Sequence, residues 1–304
     1  MRSILSFVLF MLGVSVFAIA APPGFITIDV PGATNGTIAW GINAHGDIVG
    51  HYLDSIGQHG FLLSGGIYTT IDIAGASGTG AHGINSHGDI VGSYHKAGVN
   101  HGYLLSGGVF TTIDFPGAEG TGCGGGAGTG AVGINLLGDI VGVYAEGGTR
   151  HGFLLSRGSF TTIDPPGAIC TQAMGISTAG DIVGWFIDAG GVYHGFLLSG
   201  GIFTTIDVPV PGNPDAGAFG IDPSGTFVVG FYSPTAADIN GLLEHGFLLT
   251  GGIFTTTIDY PLAGVGVTEA VGVNSQGDIV GDYVVGNYSN SIPHGFLLGK
   301  QKKK

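Results

Sequence analysis

Histidines and carboxylates are the groups in this chain best suited to chemistry, and most of them recur at fixed places. His59, His101, His151, His194, His245 and His294 each open a segment like H-G-F-L-L, and Asp29, Asp72, Asp114, Asp164, Asp207 and Asp259 each close one like F-T-T-I-D. An imidazole near a carboxylate could move protons or hold a metal. The regularity argues for scaffolding instead, because metal ligands must converge within about 2.0–2.1 Å of one ion and residues distributed over repeats do not. Each His is expected to bond a carboxylate or backbone group in its own or a neighbouring repeat.

Groups outside this pattern are the better candidates. His45, His51, His82, His87 and His95 are irregular. Of these, His45 and His87 share an equivalent turn in adjacent repeats, but the spacing matches no ligand motif, so no metal or other cofactor is expected. Asp188, Asp238, Glu244 and Asp282 are non-repeat carboxylates, and a hydrolase built on them needs two held close together. An aromatic column, Tyr52, Tyr94, Tyr144, Phe186, Tyr232 and Tyr283, with Trp185 and Phe231 beside it, is either core packing or a platform for sugar rings or peptide. Of it, Tyr52, Tyr94, Tyr144, Trp185, Tyr232 and Tyr283 are the candidate ligand-binding residues. Cys123 and Cys170, the only cysteines, are expected to pair across two repeats. A formal G-x-G-x-x-G at Gly120, Gly122 and Gly125 lacks the helix and acidic partner of a dinucleotide site.

The elements that position these groups are repeats. Four segments recur six times in order: A-x-G-I-N from Ala39, Ala81, Ala131, Ala173, Ala218 and Ala270; G-D-I-V-G-x-Y; H-G-F-L-L; and F-T-T-I-D. Each is rich in β-branched and aromatic residues and bounded by Gly, Pro, Asn or Ser, as strands are. None has a helical period. The 62 glycines of 304 residues fit a chain of many tight turns. Four strands per repeat predict an all-β, six-bladed β-propeller of four-stranded antiparallel blades. The first strand is of the fourth type and the last of the third, so the N-terminal strand is expected to pair with the C-terminal one and close the ring. Small residues of A-x-G-I-N suit the crowded innermost strand. The column Trp40, His82, Val132, Met174, Phe219 and Val271 then packs between blades.

Repeat-length differences collect in two connections. The second-to-third strand link grows from nine residues between Gly50 and His59 to fifteen between Gly230 and His245, and the fourth-to-first link carries an insertion over Glu119–Gly128. In an antiparallel meander these loops share one face. Variable loops gathered on one face of a repeat array mark its binding side.

The order G-I-N-x-x-G-D-I-V-G-x-Y followed by H-G-F-L-L-S-G-G resembles the HAF family of bacterial extracellular repeats, with Gly in place of the family's Ala. The resemblance spans Phe25 to Leu298 and implies export and a repeat β architecture; it brings no activity or catalytic residues.

Met1-Arg2, the apolar run Ile4–Ile19 and Ala18-Ile19-Ala20 predict a signal peptide over 1–20 cleaved after Ala20, followed by the propeller over 21–299 and a basic tail over 300–304. The apolar run is short for a membrane span. Outside the leader and tail only Lys96, Arg150 and Arg157 oppose 21 acids, which disfavours nucleic acid as a partner. The sequence therefore predicts a secreted, monomeric, non-catalytic binding or cell-surface module for a glycan or protein, with an extracellular hydrolase or a structural surface protein as the alternatives.

Overall fold

The computed structural model describes residues 24–123, 126–209, 215–233, 244–261, 266–285 and 292–299. The predicted leader, the basic tail and Asp238 lie outside the described residues. Every regular element described is a strand, and among the described residues no helix is long and apolar enough to cross a membrane.

The chain opens with β1 (Phe25–Ile28). Two meanders follow: β2 (Thr37–Ile42), β3 (Ile48–Leu53), β4 (Gln58–Ser64) and β5 (Ile67–Ile71), then β6 (Gly78–Ile84), β7 (Ile90–Lys96), β8 (Val99–Ser106) and β9 (Val109–Ile113). Next come β10 (Thr129–Ile134), β11 (Ile140–Glu146), β12 (Thr149–Ser156) and β13 (Ser159–Ile163), and β14 (Cys170–Ile176), β15 (Ile182–Ile187), β16 (Tyr193–Ser199) and β17 (Ile202–Ile206). The series ends with β18 (Asp215–Ile221), β19 (Phe227–Ser233), β20 (His245–Thr250) and β21 (Ile253–Ile258), then β22 (Val267–Val273), β23 (Ile279–Val284) and β24 (His294–Leu298).

The architecture is a β-propeller of four-stranded antiparallel blades. Four sheets stand separately with four strands each, and β2 to β9 form one eight-stranded sheet, so six separate sheets are not found. The merger rests on a single parallel pairing, Gln58 with Gly78, between the third strand of one meander and the first of the next. Equivalent single bridges, Asn100 with Gly128 and Glu244 with Val267, occur at other junctions just outside the strand ends. Whether a junction joins two sheets thus depends on one residue of strand length. The N-terminal strand does pair with the C-terminal one: β1 lies antiparallel to β24, with Phe25 opposite Leu298 and Ile28 opposite Gly295.

The first strands of the repeats approach one another without room for a side chain. A Cβ on Gly41, Gly83, Gly133, Gly175 or Gly220 would lie 2.5–3.1 Å from a carbonyl oxygen of the next first strand, and one on Gly272 of β22 would lie 2.7 Å from that of Trp40 in β2. All six first strands line one shared channel. At its end opposite the long loops, Asn side chains reach across the junctions: Asn43 Nδ2 donates to Asn85 O at 3.3 Å, Asn85 to Asn135 O, Asn135 to Ser177 O, and Asn274 to Asn43 O.

Between sheets the core is built from one residue of each second strand and one of each third. Val49, Val91, Val141, Val183, Val229 and Val280, with Phe61, Tyr103, Phe153, Phe196, Phe247 and Phe296, are all at most 1% exposed. The far end of the aromatic ring lies against a glycine on the neighbouring strand; a Cβ on Gly142 would sit 2.8 Å from the Phe153 ring. Phe153→Ala should therefore cost about 3–5 kcal/mol, read as a lowered urea midpoint at unchanged slope. A loss below about 1 kcal/mol would contradict this packing.

Candidate functional site

Each repeat carries one stack at the long-loop end. The aromatic residue of the second strand faces the His of the third with ring centroids 5.1–5.3 Å apart. The His Nδ1 meets the Asp of the fourth strand at 2.7–3.1 Å, in pairs from His59–Asp72 to His294–Asp29. The repeat histidines thus bond within their own blades. The Asp72 bond raises the pKa of His59, the Asp29 bond raises that of His294, and for His194 burial pulls down while bonds to Asp207 and Asp188 outweigh it.

Sequence-predicted ligand-binding tyrosines belong to these stacks. Tyr52, Tyr94, Tyr144, Tyr232 and Tyr283 are buried, one face against His, with hydroxyls 2.9–3.2 Å from Thr70, Thr112, Thr162, Thr257 and Thr27. The faces a sugar ring would use are largely taken up by the protein, although Tyr144 keeps a place in the wall of a cavity described below. Trp185 is half-buried and packs on Tyr193 at 5.3 Å, across from Gln172.

Of the irregular histidines, two come together. Trp40 Nε1 donates to His51 Nδ1 at 3.1 Å, and the Trp40 and His82 rings lie 5.0 Å apart. Burial among the blades, with the charge of His82 second, pushes the His51 pKa down to about 3, so its Nδ1 is free to accept. His82 is likewise lowered by burial, and its Nδ1 donates to Ala131 O at 3.1 Å. His45 and His87 are exposed, and His95 bonds the Asn100 side chain. Among the described residues no group of His, Cys, Asp and Glu is arranged to hold a metal ion.

Trp40 and His82 open into a cavity of about 190 Å³ on the long-loop side of the channel, with Asn100, Arg150, Gln172 and Met174 in its wall. Its rim is the Gly-rich insertion, anchored by Asn100 N to Ala127 O at 3.0 Å and Ala145 N to Gly128 O at 2.9 Å. The expected disulfide pins it: Cys123 in the insertion is joined to Cys170 at the start of β14, Cα atoms 6.3 Å apart. Closing a loop of 47 residues predicts that reduction costs about 2–4 kcal/mol, measured by denaturant unfolding with and without reductant; equal midpoints would show that the bridge carries no load.

The candidate carboxylates separate. Asp188 is held by Val192 N, Gly190 N and His194, which keep its pKa below the usual range, so it is unsuited to donating a proton. Glu244 and Asp282 instead meet a third acid that sequence reasoning did not single out. Glu269 stands opposite Asp282 on the adjacent strand and hydrogen-bonds Glu244. Burial, then the neighbouring charges, raises Glu269 well above the usual range, and burial with Glu244 raises Asp282 to about 7. Its place among Ile38, Gly80, Gly130, Gln172 and Gly217 in the other copies was the available signal. Asp282 is 1% exposed, and its Oδ2 has no hydrogen-bond partner among the described residues.

Because the folded state raises the Asp282 pKa, the proton is bound more tightly folded than unfolded. The contribution is complete below about pH 4, falls as pH rises toward 7, and is lost above it. Asp282→Asn should be more stable than the parent at about pH 8, with the difference shrinking toward about pH 4 in urea unfolding. A difference independent of pH would contradict the assignment.

No protein-family model matches the chain, and no curated protein matches it. Among solved structures the chain is similar to TolB from Acinetobacter baumannii (TM-score 0.51, 16% identity, 71% of this chain and 53% of that one). It is also similar to a mutant of AofleA from Arthrobotrys oligospora (0.52, 9%, 91% and 86%) and to a mutant of the Aleuria aurantia lectin AAL in complex with Fucα1-6GlcNAc (0.51, 9%, 89% and 94%). The chain spans about half the length of TolB. At such identities the likeness is one of fold.

Proposed function

We propose that the protein is an exported, monomeric, non-catalytic binding module, built as a closed ring of six blades and related to the HAF repeats, with its site on the long-loop face. The observation that carries the binding reading is the cavity where the repeats stop being alike. Trp40, His82 and Met174 from three first strands meet Asn100, Arg150 and the disulfide-pinned insertion there. Repeat-wide residues build the scaffold; residues peculiar to one copy gather at this opening.

Support for the ring comes from the pairing of β1 with β24, the approach of Gly272 to Trp40, and the reach of Asn274 to Asn43. On this reading the eight-stranded sheet is two blades joined at Gln58–Gly78. Export rests on the N-terminal sequence and is compatible with the disulfide.

The second reading, an extracellular hydrolase, is favoured by one observation: Glu269 and Asp282, with Glu244 beside them, sit where burial and neighbouring charge raise the pKa of a carboxyl group, that of Asp282 to about 7. A glycan and polysaccharide array separates the two. Ligands retained by the parent should be lost, by about tenfold or more in affinity, from Trp40→Ala and Gln172→Ala, and kept by Ile202→Ser on the outer rim. Retention by both cavity variants would overturn the site. Hydrolysis of an array sugar that Glu269→Gln abolishes would establish the enzyme instead.

A further inference from the structure

Arg150 is the one lysine or arginine of the described body that is withdrawn from water, and it has no ion pair among the described residues. Lys96 and Arg157 are exposed, whereas Arg150 is half-buried on β12, and desolvation lowers its pKa. Among the described residues its guanidinium forms no ion pair, although the chain carries 21 acids. Desolvating a cation is costly unless something of opposite charge repays it.

A second donor converges with it. The His95 ring bonds Asn100 Oδ1 at 2.9 Å, which fixes the amide and leaves Nδ2 directed at the insertion. The point where a Cβ of Gly126 would stand is 2.9 Å from Arg150 Nη2 and 3.4 Å from Asn100 Nδ2. Two donors, one charged, therefore converge beside Gly126, so closely that a side chain there would clash with them, and both line the cavity. Behind it the cavity is walled by Trp40, Val132 and Met174, and Gln172 adds an amide.

We propose that this cavity is a receptor for a single carboxylate on a small hydroxylated body, a sugar acid, with Arg150 and Asn100 gripping the carboxylate. The proposal rests on the binding reading above and names its ligand class. A guanidinium pairs with a carboxylate through two parallel hydrogen bonds, which a neutral sugar cannot reproduce. The volume of about 190 Å³ fits one sugar ring rather than a chain. The formal charge of −13 repels an extended polyanion, so a lone acid or the terminal residue of a chain is favoured.

The test is calorimetric titration of the full mature chain with D-glucuronate, D-galacturonate, the methyl ester of glucuronate, D-glucose and a uronate oligomer. At least one of the two acids should bind about tenfold or more tightly than ester or glucose, as loss of a charged hydrogen bond implies. Arg150→Gln should remove that preference, and Arg150→Lys should restore part of it. Binding of the oligomer as tightly as the monomer assigns the site to chain ends; binding of the monomer alone assigns it to free sugar acids. Because Arg150 also supports the insertion, a second measurement avoids substitution. The chain has three arginines, Arg2, Arg150 and Arg157, so phenylglyoxal modification followed by peptide mass spectrometry reads each one. The binding acid should slow modification of Arg150 and leave Arg157 unchanged. Equal affinity for acid, ester and glucose, no binding of any acid, or no protection of Arg150 would overturn the proposal. A neutral glycan that binds at the cavity regardless of Arg150 would sink the carboxylate reading while leaving the binding module standing.

Discussion

The close approach of the first strands is the constraint on which the rest of this molecule depends. Where Gly41 and its five counterparts face the next strand's carbonyl, any side chain would push the strands apart. That spacing brings Trp40 within reach of His82 and lets Asn43 bridge to Asn85. Backbones packed this tightly leave no freedom at the axis, so variation is pushed outward to the loops and inward only to the single column between Ala and Gly. The cavity is where both kinds of variation meet.

A division of labour follows. The stacked aromatic, His and Asp of each repeat consume groups that would otherwise be reactive or sticky, tying imidazole to carboxylate in all six and phenol to threonine in the five that carry a tyrosine. Chemical interest is thereby concentrated in the few residues that one repeat has and the others lack: Arg150, Gln172, Glu269 and Asp282. A buried carboxyl cluster of this kind is paid for in stability at neutral pH, a cost that scaffold residues alone do not impose.

Much of this was legible from residues alone. Strand segments and their order follow from β-branched runs punctuated by glycine, and the pairing of Phe25–Ile28 with His294–Leu298 from the permuted ends. The Cys123–Cys170 bridge followed from compartment and count. What was not legible depends on distances across repeats. The junction at Gln58 and Gly78 turns on one residue of pairing that no periodicity encodes. Tyr52 and its equivalents read as core first and platform second, and burial places them in the core. Glu269 is anonymous until Asp282 is placed beside it, and Arg150 is a lone charge until Gly126 and Asn100 are folded against it.

The disulfide has a consequence for how the molecule comes apart. Cys123 and Cys170 lie on either side of β10 to β13, so the bridge is a covalent loop around the whole meander that carries Arg150. The junction of β1 with β24 has backbone hydrogen bonds, the Asp29–His294 pair and packing, but no covalent link. Thermal fluctuations that open a blade are drawn to the segment with least to lose, which places the hinge of any partial unfolding at the terminal strands. The Arg150 side of the cavity sits on the strapped portion and stays assembled through excursions that unzip the ends, whereas Trp40 on β2 lies outside the strap.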